Sequence, residues 1–294
     1  MNQVAAPRTL SFVNRPDDRY YTSARLRLHY VVWGDEKKPP LLLIHGGRDH
    51  ARSWDFVARR LIDRFAVYAP DLRGHGDSDW ANTGSYPIVD HVADIAKLVE
   101  VIDRGPVSII GHSRGGGITL DYAGGFPDMV TRLVSIEGYG WRAGDKRPAV
   151  QRLRGFVDNV RAVETGRPRV YATLEDAQAR MQEANRRLSP EMVRHLTEHA
   201  VRRVEGGYVW KFDRNVQVHT ASDWTEAETK SIWSNIRCPM LLIGGSESGH
   251  QRPELQGIGD SLVGERIVIQ DAAHWVHHDQ FERFVQAVRR FLLA

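Results

Sequence analysis

Val107-Ser108-Ile109-Ile110 runs directly into Gly111-His112-Ser113-Arg114-Gly115 and on into Gly116-Gly117-Ile118-Thr119-Leu120. A β-branched apolar run, a serine between glycines and a plausible helix read as strand, sharp turn and helix, with Ser113 at the apex. The outer glycines let the backbone close tightly around a strained turn. A helix starting at Ser113 aims its first N–H groups and the positive end of its dipole at whatever reacts there. G-x-S-x-G also occurs in ordinary loops, so a plain turn is the competing reading. The strand before the motif and the helix after it favour a reactive serine.

A turn of this kind stands on a sheet, and the first half of the chain supplies one. Leu26–Trp33 reads as an early strand, and the continuous apolar run Leu41–Ile44 as a strand covered on both faces. Trp54–Phe65 has helical spacing. Ala66–Ala69 is the next strand, stopped by Pro70. His91–Ile102 is an amphipathic helix, with Val92, Ile95, Leu98, Val99 and Ile102 at intervals of three and four. Val107–Ile110 feeds the serine turn, and Leu133–Ile136 is a further strand. From about 139 to 235 the texture changes to Arg, Glu and Gln with few β-branched runs. Leu174–Arg187 and Pro190–Val204 read as helices there, the second with Ser189 as N-cap and Pro190 at its first position. Met240–Ile243 and Arg266–Ile269 restore the strand pattern, and Gln280–Leu293 is a final amphipathic helix. Strands interleaved with helices predict an α/β fold, with a mostly parallel sheet flanked by helices. The helical middle is expected as an insertion over the carboxyl edge of that sheet, where open α/β sheets bind ligands.

Around Ser113 the chain offers the partners a weak nucleophile needs: a base, an acid to orient it and donors for an oxyanion. The base expected is His274, on the short loop after Arg266–Ile269, which can face back across the strand ends. His277 and His278 are read as surface or supporting residues. The oxyanion donors expected are the backbone N–H groups of Arg114 and of Gly47, in His45-Gly46-Gly47-Arg48 after the strand Leu41–Ile44. A tight turn that binds nothing is the bland reading of those glycines. Two carboxylates compete for the acid. Glu247 is the first carboxylate after Met240–Ile243. Glu137 closes the apolar strand Leu133–Ile136, beside the Ser113 turn, where a carboxylate is costly to bury unless paired. Glu137 is favoured. Asp71–Ser78 reads as a compact structural loop braced by Asp71 and Arg73, with His45 and His75 as packing or hydrogen-bonding residues.

Taken together, the His45-Gly46-Gly47 turn, the Asp71–Ser78 loop, the Gly111–Gly115 elbow and the His274 loop resemble the α/β-hydrolase superfamily, in its order and spacing and over nearly the whole chain. Within it the chain is most similar to the serine hydrolase-like proteins. Tyr171–Ala177 and Trp210–Asp213 match the cap of that group. The resemblance implies a core of residues 1–137 and 236–294 and a helical cap, or lid, of residues 138–235. It also implies chemistry. Members usually place an aspartate after the strand corresponding to Met240–Ile243, and Ser248 or its neighbour stands there here. Some members, including lactone hydrolases and certain dehalogenases, use an acid after the strand corresponding to Leu133–Ile136, which Glu137 matches. Haloalkane dehalogenases and epoxide hydrolases of this fold use an aspartate nucleophile where Ser113 stands, which argues against both.

The expected activity is therefore a serine hydrolase cleaving a carboxylic ester or lactone through an acyl-enzyme, with Ser113, His274 and Glu137 as the catalytic triad and Gly47 and Arg114 as the oxyanion hole. Losing one such donor typically costs about 3 kcal/mol. A carbon–carbon bond hydrolase or lyase on the same triad, or a ligand receptor with slow turnover, are the alternatives. No cofactor or metal is expected, because no H-E-x-x-H or Cys/His cluster is present. Trp141, Phe156, Tyr171, Tyr208, Trp210 and Trp224 either line an apolar pocket or form the cap's own core. The arginines Arg152, Arg154, Arg186, Arg187, Arg202 and Arg203 either attract an acidic substrate or cover a solvated helix face. A net charge of +3 over 294 residues carries no nucleic-acid footprint. Met1–Arg8 shows no signal-peptide pattern, no apolar run is long enough to span a bilayer, and the single cysteine, Cys238, fits a reducing compartment. The expected location is the cytoplasm, the expected partner a small molecule, and a homo-oligomer is compatible with the sequence.

Overall fold

The computed structural model describes residues 16–138, 147–249 and 262–294. Eight strands form one sheet in the order β1-β2-β4-β3-β5-β6-β9-β10. These are β1 (Asp17–Ser23), β2 (Leu26–Trp33), β3 (Pro40–Ile44), β4 (Ala66–Pro70), β5 (Val107–His112), β6 (Val130–Ile136), β9 (Met240–Gly245) and β10 (Glu265–Ile269). From β4 to β10 every neighbour pair is parallel, and β1 and β2 add an antiparallel edge. The chain reverses direction across the sheet between β3 and β5, so a crevice opens at their carboxyl ends.

Strand side chains alternate between two cores, as a period of two requires. Leu42, Ile44, Ile109, Leu133 and Leu242 face one layer together with residues of α2 (Ile88–Ile102) and α3 (Arg114–Gly125). Leu41, Leu43, Ile110, Val134 and Ile243 face the other, against α1 (Asp55–Arg59), the short α8 (Val276–Asp279) and the last helix, α9 (Phe281–Leu293). Both faces are covered, which is why these strands read as unbroken apolar runs. The helix expected over Trp54–Phe65 is shorter. It ends at Arg59, and Arg60 and Leu61 bond three residues back, which tightens the chain into turns.

Between β6 and β9 lie α4 (Ala149–Thr165), α5 (Leu174–Ala184), α6 (Pro190–Ala200), the hairpin β7 (Val201–Val204) and β8 (Gly207–Trp210), and α7 (Glu226–Trp233). Ser189 caps α6 by accepting from the Met192 N–H, with Pro190 at the first position. The helix expected to continue to Val204 stops at Ala200. Val201–Val204 instead pairs with Gly207–Trp210 as a two-stranded sheet. The turn uses Gly206 and Gly207 at φ of 81° and 143°, a conformation open to glycine. The segment is docked on the core through α6. His50 Nε2 donates to the Leu196 carbonyl at 3.0 Å, and His195 Nε2 to that of Arg52 at 3.0 Å. Among the described residues no helix is long and apolar enough to cross a membrane.

Candidate active site

Three parallel strand ends, those of β3, β5 and β10, converge on one cavity of about 1020 Å³. Its floor includes Gly46 and Gly47 after β3, Ser113 after β5, and Ala273, His274 and Trp275 after β10. Its roof includes Tyr171, Met181, Trp210 and Phe212 from the segment between β6 and β9.

Ser113 sits at φ 52°, ψ −116°, between the last residue of β5 and the first of α3. Such a backbone is strained for a non-glycine residue, by about 1–3 kcal/mol. Close packing holds it in place. A Cβ on Gly111 would lie 2.3 Å from the Gly115 carbonyl oxygen, and one on Gly115 would lie 2.4 Å from that of Ile44. Glycine at both positions therefore reflects a backbone-to-backbone approach. The Ser113 N–H donates to the Ile136 carbonyl at 2.8 Å, and the Ser113 hydroxyl forms no helix-cap bond. A turn of α3 and its dipole begin directly behind this side chain.

The glycine turn after β3 lies against the elbow: a Cβ on Gly46 would lie 2.9 Å from His112 Nδ1 and 3.3 Å from Ser113 Cβ. His45 fixes that turn. Its Nδ1 is 2.6 Å from the Gly46 carbonyl, and its Nε2 accepts the Leu72 N–H at 2.9 Å, which together define one neutral tautomer. Burial lowers the His45 pKa, in keeping with the neutral form.

Glu137 follows β6 with φ 53° and is 2% exposed. Its Oε1 accepts the Gly245 N–H at 2.8 Å, and its Oε2 accepts the Ser248 hydroxyl at 2.5 Å. The same Oε2 is 3.6 Å from His274 Nδ1. Glu247 lies on the same β9 loop but is turned outward, into an ion pair with Arg187. The His274 main chain is held by His112, whose Nε2 donates to its carbonyl at 2.8 Å. The structure thus brings Ser113, His274, Glu137, Gly47 and Arg114 to one set of strand ends, and leaves Glu247 outside.

One neighbour differs from expectation. His277, read as a surface or supporting residue, is fully buried, stacked on Trp54 at 4.6 Å and beside His112 at 4.6 Å. Burial drives its pKa well down, so it sits in the core as a neutral ring. Asp71 and Arg73 brace their loop separately. Asp71 bonds His29 Nδ1 at 2.7 Å and the N–H groups of Ala51 and Asp77, while Arg73 clasps Asp94 and Asp90. Tyr171 and Trp210 line the cavity and also form a small core with Ala177 and Val201. Trp224 packs on the main core, and Trp141 lies outside the described residues. Sequence reading missed Asp49, buried at the mouth of the glycine turn, because its significance lies in burial alone. Burial pushes its carboxyl up to about 7.

Two groups among the described residues bring three metal-ligand atoms within 4.8 Å of one another: Asp55 with His195 and His199, and His29 with Asp71 and Asp77. Neither lines the large cavity. Asp55 is clasped by Arg52, and His29 by Asp71 and Asp18. The i, i+4 pair on α6 was visible in the sequence, but its convergence on Asp55 was not.

Residues 41–287 match the alpha/beta hydrolase family, and the chain belongs to it. A serine hydrolase-like protein of Danio rerio is 29% identical over 217 residues, covering 72% of this chain and 66% of that protein. Lipase LipV of Mycobacterium tuberculosis is 32% identical over 192 residues, covering 63% and 66%. The chain thus spans just under two thirds of the length of either relative. The thioesterase domain from the curacin biosynthetic pathway superposes with a TM-score of 0.84 at 22% identity, covering 94% of this chain and all of that one, a likeness of fold.

Proposed function

We propose that the protein is a serine hydrolase acting on a carboxylic ester or lactone. Ser113 is the nucleophile, His274 the base and Glu137 the acid. The observation that carries this reading is the Glu137 carboxylate, fixed by Gly245 and Ser248, with Oε2 3.6 Å from His274 Nδ1 in the cavity that Ser113 also lines. His274 Nε2 takes the hydroxyl proton as Ser113 Oγ bonds to the carbonyl carbon. Glu137 holds the ring with Nδ1–H toward itself and stabilises the imidazolium. The N–H groups of Gly47 and Arg114 donate to the oxyanion and stabilise it. Collapse breaks the bond to the alkoxide, which leaves with the proton from His274. Water then attacks the acyl-enzyme by the same route, releasing the acid and restoring the serine. Residues 138–235 act as the cap that closes the pocket. The single cysteine fits a reducing compartment, and the cytoplasm is the proposed location.

The relatives named serine hydrolase-like and lipase support this reading. So does the backbone strain at Ser113, which projects its hydroxyl from the turn. The test is turnover of short-chain chromogenic esters by the full chain and by Ser113→Ala. Hydrolysis that falls at least ~10³-fold in the variant is expected. Ester binding without turnover in the folded parent protein would instead favour a receptor.

A further inference from the structure

The walls of the large cavity are unevenly charged. Arg48, Arg114, Arg169, Arg180, Arg186 and Arg187 line it, against the carboxylates of Asp49, Glu183 and Asp279. Much of this charge is already matched. Arg180 pairs with Glu183 at 2.6 Å, Arg187 pairs with Glu247, and Arg114 donates to the Val216 carbonyl. Burial pushes the Asp49 carboxyl up to about 7, which weakens its negative charge near neutrality, and Asp279 Oδ2 is occupied by the Ala273 N–H at 2.8 Å. Arg48, Arg169 and Arg186 have no carboxylate partner among the described residues. Arg169 lies over the Tyr171 ring at 4.9 Å, a contact that orients a guanidinium and leaves its N–H edge open. Arg169 and Arg186 come from the segment over the sheet, and Arg48 from the turn beside Gly47.

The other arginines singled out in the sequence lie elsewhere, Arg152 and Arg154 on α4 and Arg202 and Arg203 on the hairpin strand β7. Arg152, Arg154, Arg202 and Arg203 are absent from the cavity wall. Unmatched guanidinium groups facing a common cavity behave differently. Arg48, Arg169 and Arg186 are all exposed, so water and salt screen them from one another, but their fields add over the cavity and attract an entering anion. Their planar forks match a carboxylate with two parallel hydrogen bonds.

We propose that the substrate is an anion: an ester carrying a carboxylate remote from its reacting carbonyl, held by Arg169 and Arg186 over the sheet and guided in past Arg48. The inference deepens the hydrolase reading and rests on it. The bonds made and broken at Ser113 are unchanged, and the product is a dicarboxylate or a hydroxy acid, according to which side of the ester bears the charge.

The test compares the 4-nitrophenyl half-ester of adipic acid with its methyl-capped counterpart, which has the same acyl chain and no charge. A kcat/KM at least about tenfold higher for the free carboxylate is expected. That ratio should shrink as salt rises from about 20 mM to about 500 mM. The double variant Arg169→Gln, Arg186→Gln should lower it about tenfold, mainly through KM for the charged ester. Equal or better turnover of the capped ester overturns the proposal. So does a ratio unmoved in a double variant that melts like the parent. Calorimetric titration of adipate into Ser113→Ala separates the two readings. Adipate binding without turnover of either ester by the parent keeps the anion site and removes the hydrolase. Turnover of the capped ester without adipate binding does the reverse.

Discussion

Glu137 illustrates why single residues in this pocket are hard to weigh from sequence. A carboxylate after an apolar strand is conspicuous. What makes it tolerable is a hydrogen bond to each oxygen, from Gly245 at the end of the next strand and Ser248 on the loop after it, a pairing that only the sheet order creates. Glu247 was the less favoured rival along the chain, and its side chain is about half exposed and held by Arg187. Replacing Glu137 by Gln should therefore lower kcat by about 10³–10⁴, and Glu247→Gln should leave it within about twofold. Steady-state assays of the two variants check this, and a loss confined to the Glu247 variant reverses the assignment. Asp49 poses a different problem. Its Oδ1 accepts the His50 N–H at 2.9 Å, and its Oδ2 is buried with no partner among the described residues. Burial lifts its pKa from 3.8 to about 7. An acid whose folded pKa lies above its unfolded value favours folding most at low pH. That contribution declines as pH rises from about 4 to about 7 and is lost above. Asp49→Asn should consequently melt a few degrees higher than the parent at pH 8, with the gap narrowing at pH 5, in paired calorimetric scans.

At the scale of elements, the strands were the most legible part. Leu41–Ile44, Val107–Ile110, Leu133–Ile136 and Met240–Ile243 are apolar because both of their faces are covered, and that signal is local. Errors fell where tertiary context overrides local pattern. Val201–Val204 looked like more helix, but the glycines at 206 and 207 turn the chain back into a hairpin. Helix α4 carries an apolar stripe, Val150, Leu153, Val157 and Val160, that the sequence reading passed over, and none of its described residues is buried. The elbow between β5 and α3 is the element on which the pocket depends most. Gly115→Ala would push a methyl group to within 2.4 Å of the Ile44 carbonyl and 2.5 Å of the His45 carbonyl. Backbone cannot yield as a side chain does, so about 1–3 kcal/mol of stability should be lost. The β3 turn should also move away from Ser113. A fall in melting temperature together with a fall in kcat below that temperature is expected. An active, fully stable variant would show that the close approach does not matter.

The molecule as a whole assembles its pocket from three strand ends, those of β3, β5 and β10, and a roof contributed by a separate stretch of chain. The floor was readable, because each piece follows a recognisable strand. The roof was not, because the direction in which an arginine points depends on how α5 and α6 dock, and that docking rests on contacts such as His50 with the Leu196 carbonyl, 146 residues apart. One feature of the floor reaches further. Ser113 and Glu137 each stand one step beyond neighbouring parallel strands, at nearly the same left-handed backbone angle, 52° and 53°. Glycine would relax both turns. On the proposed mechanism, glycine at either position would relieve that strain and remove a side chain the reaction uses. The tension in these two loops is therefore a mark that only continued use of the chemistry can preserve.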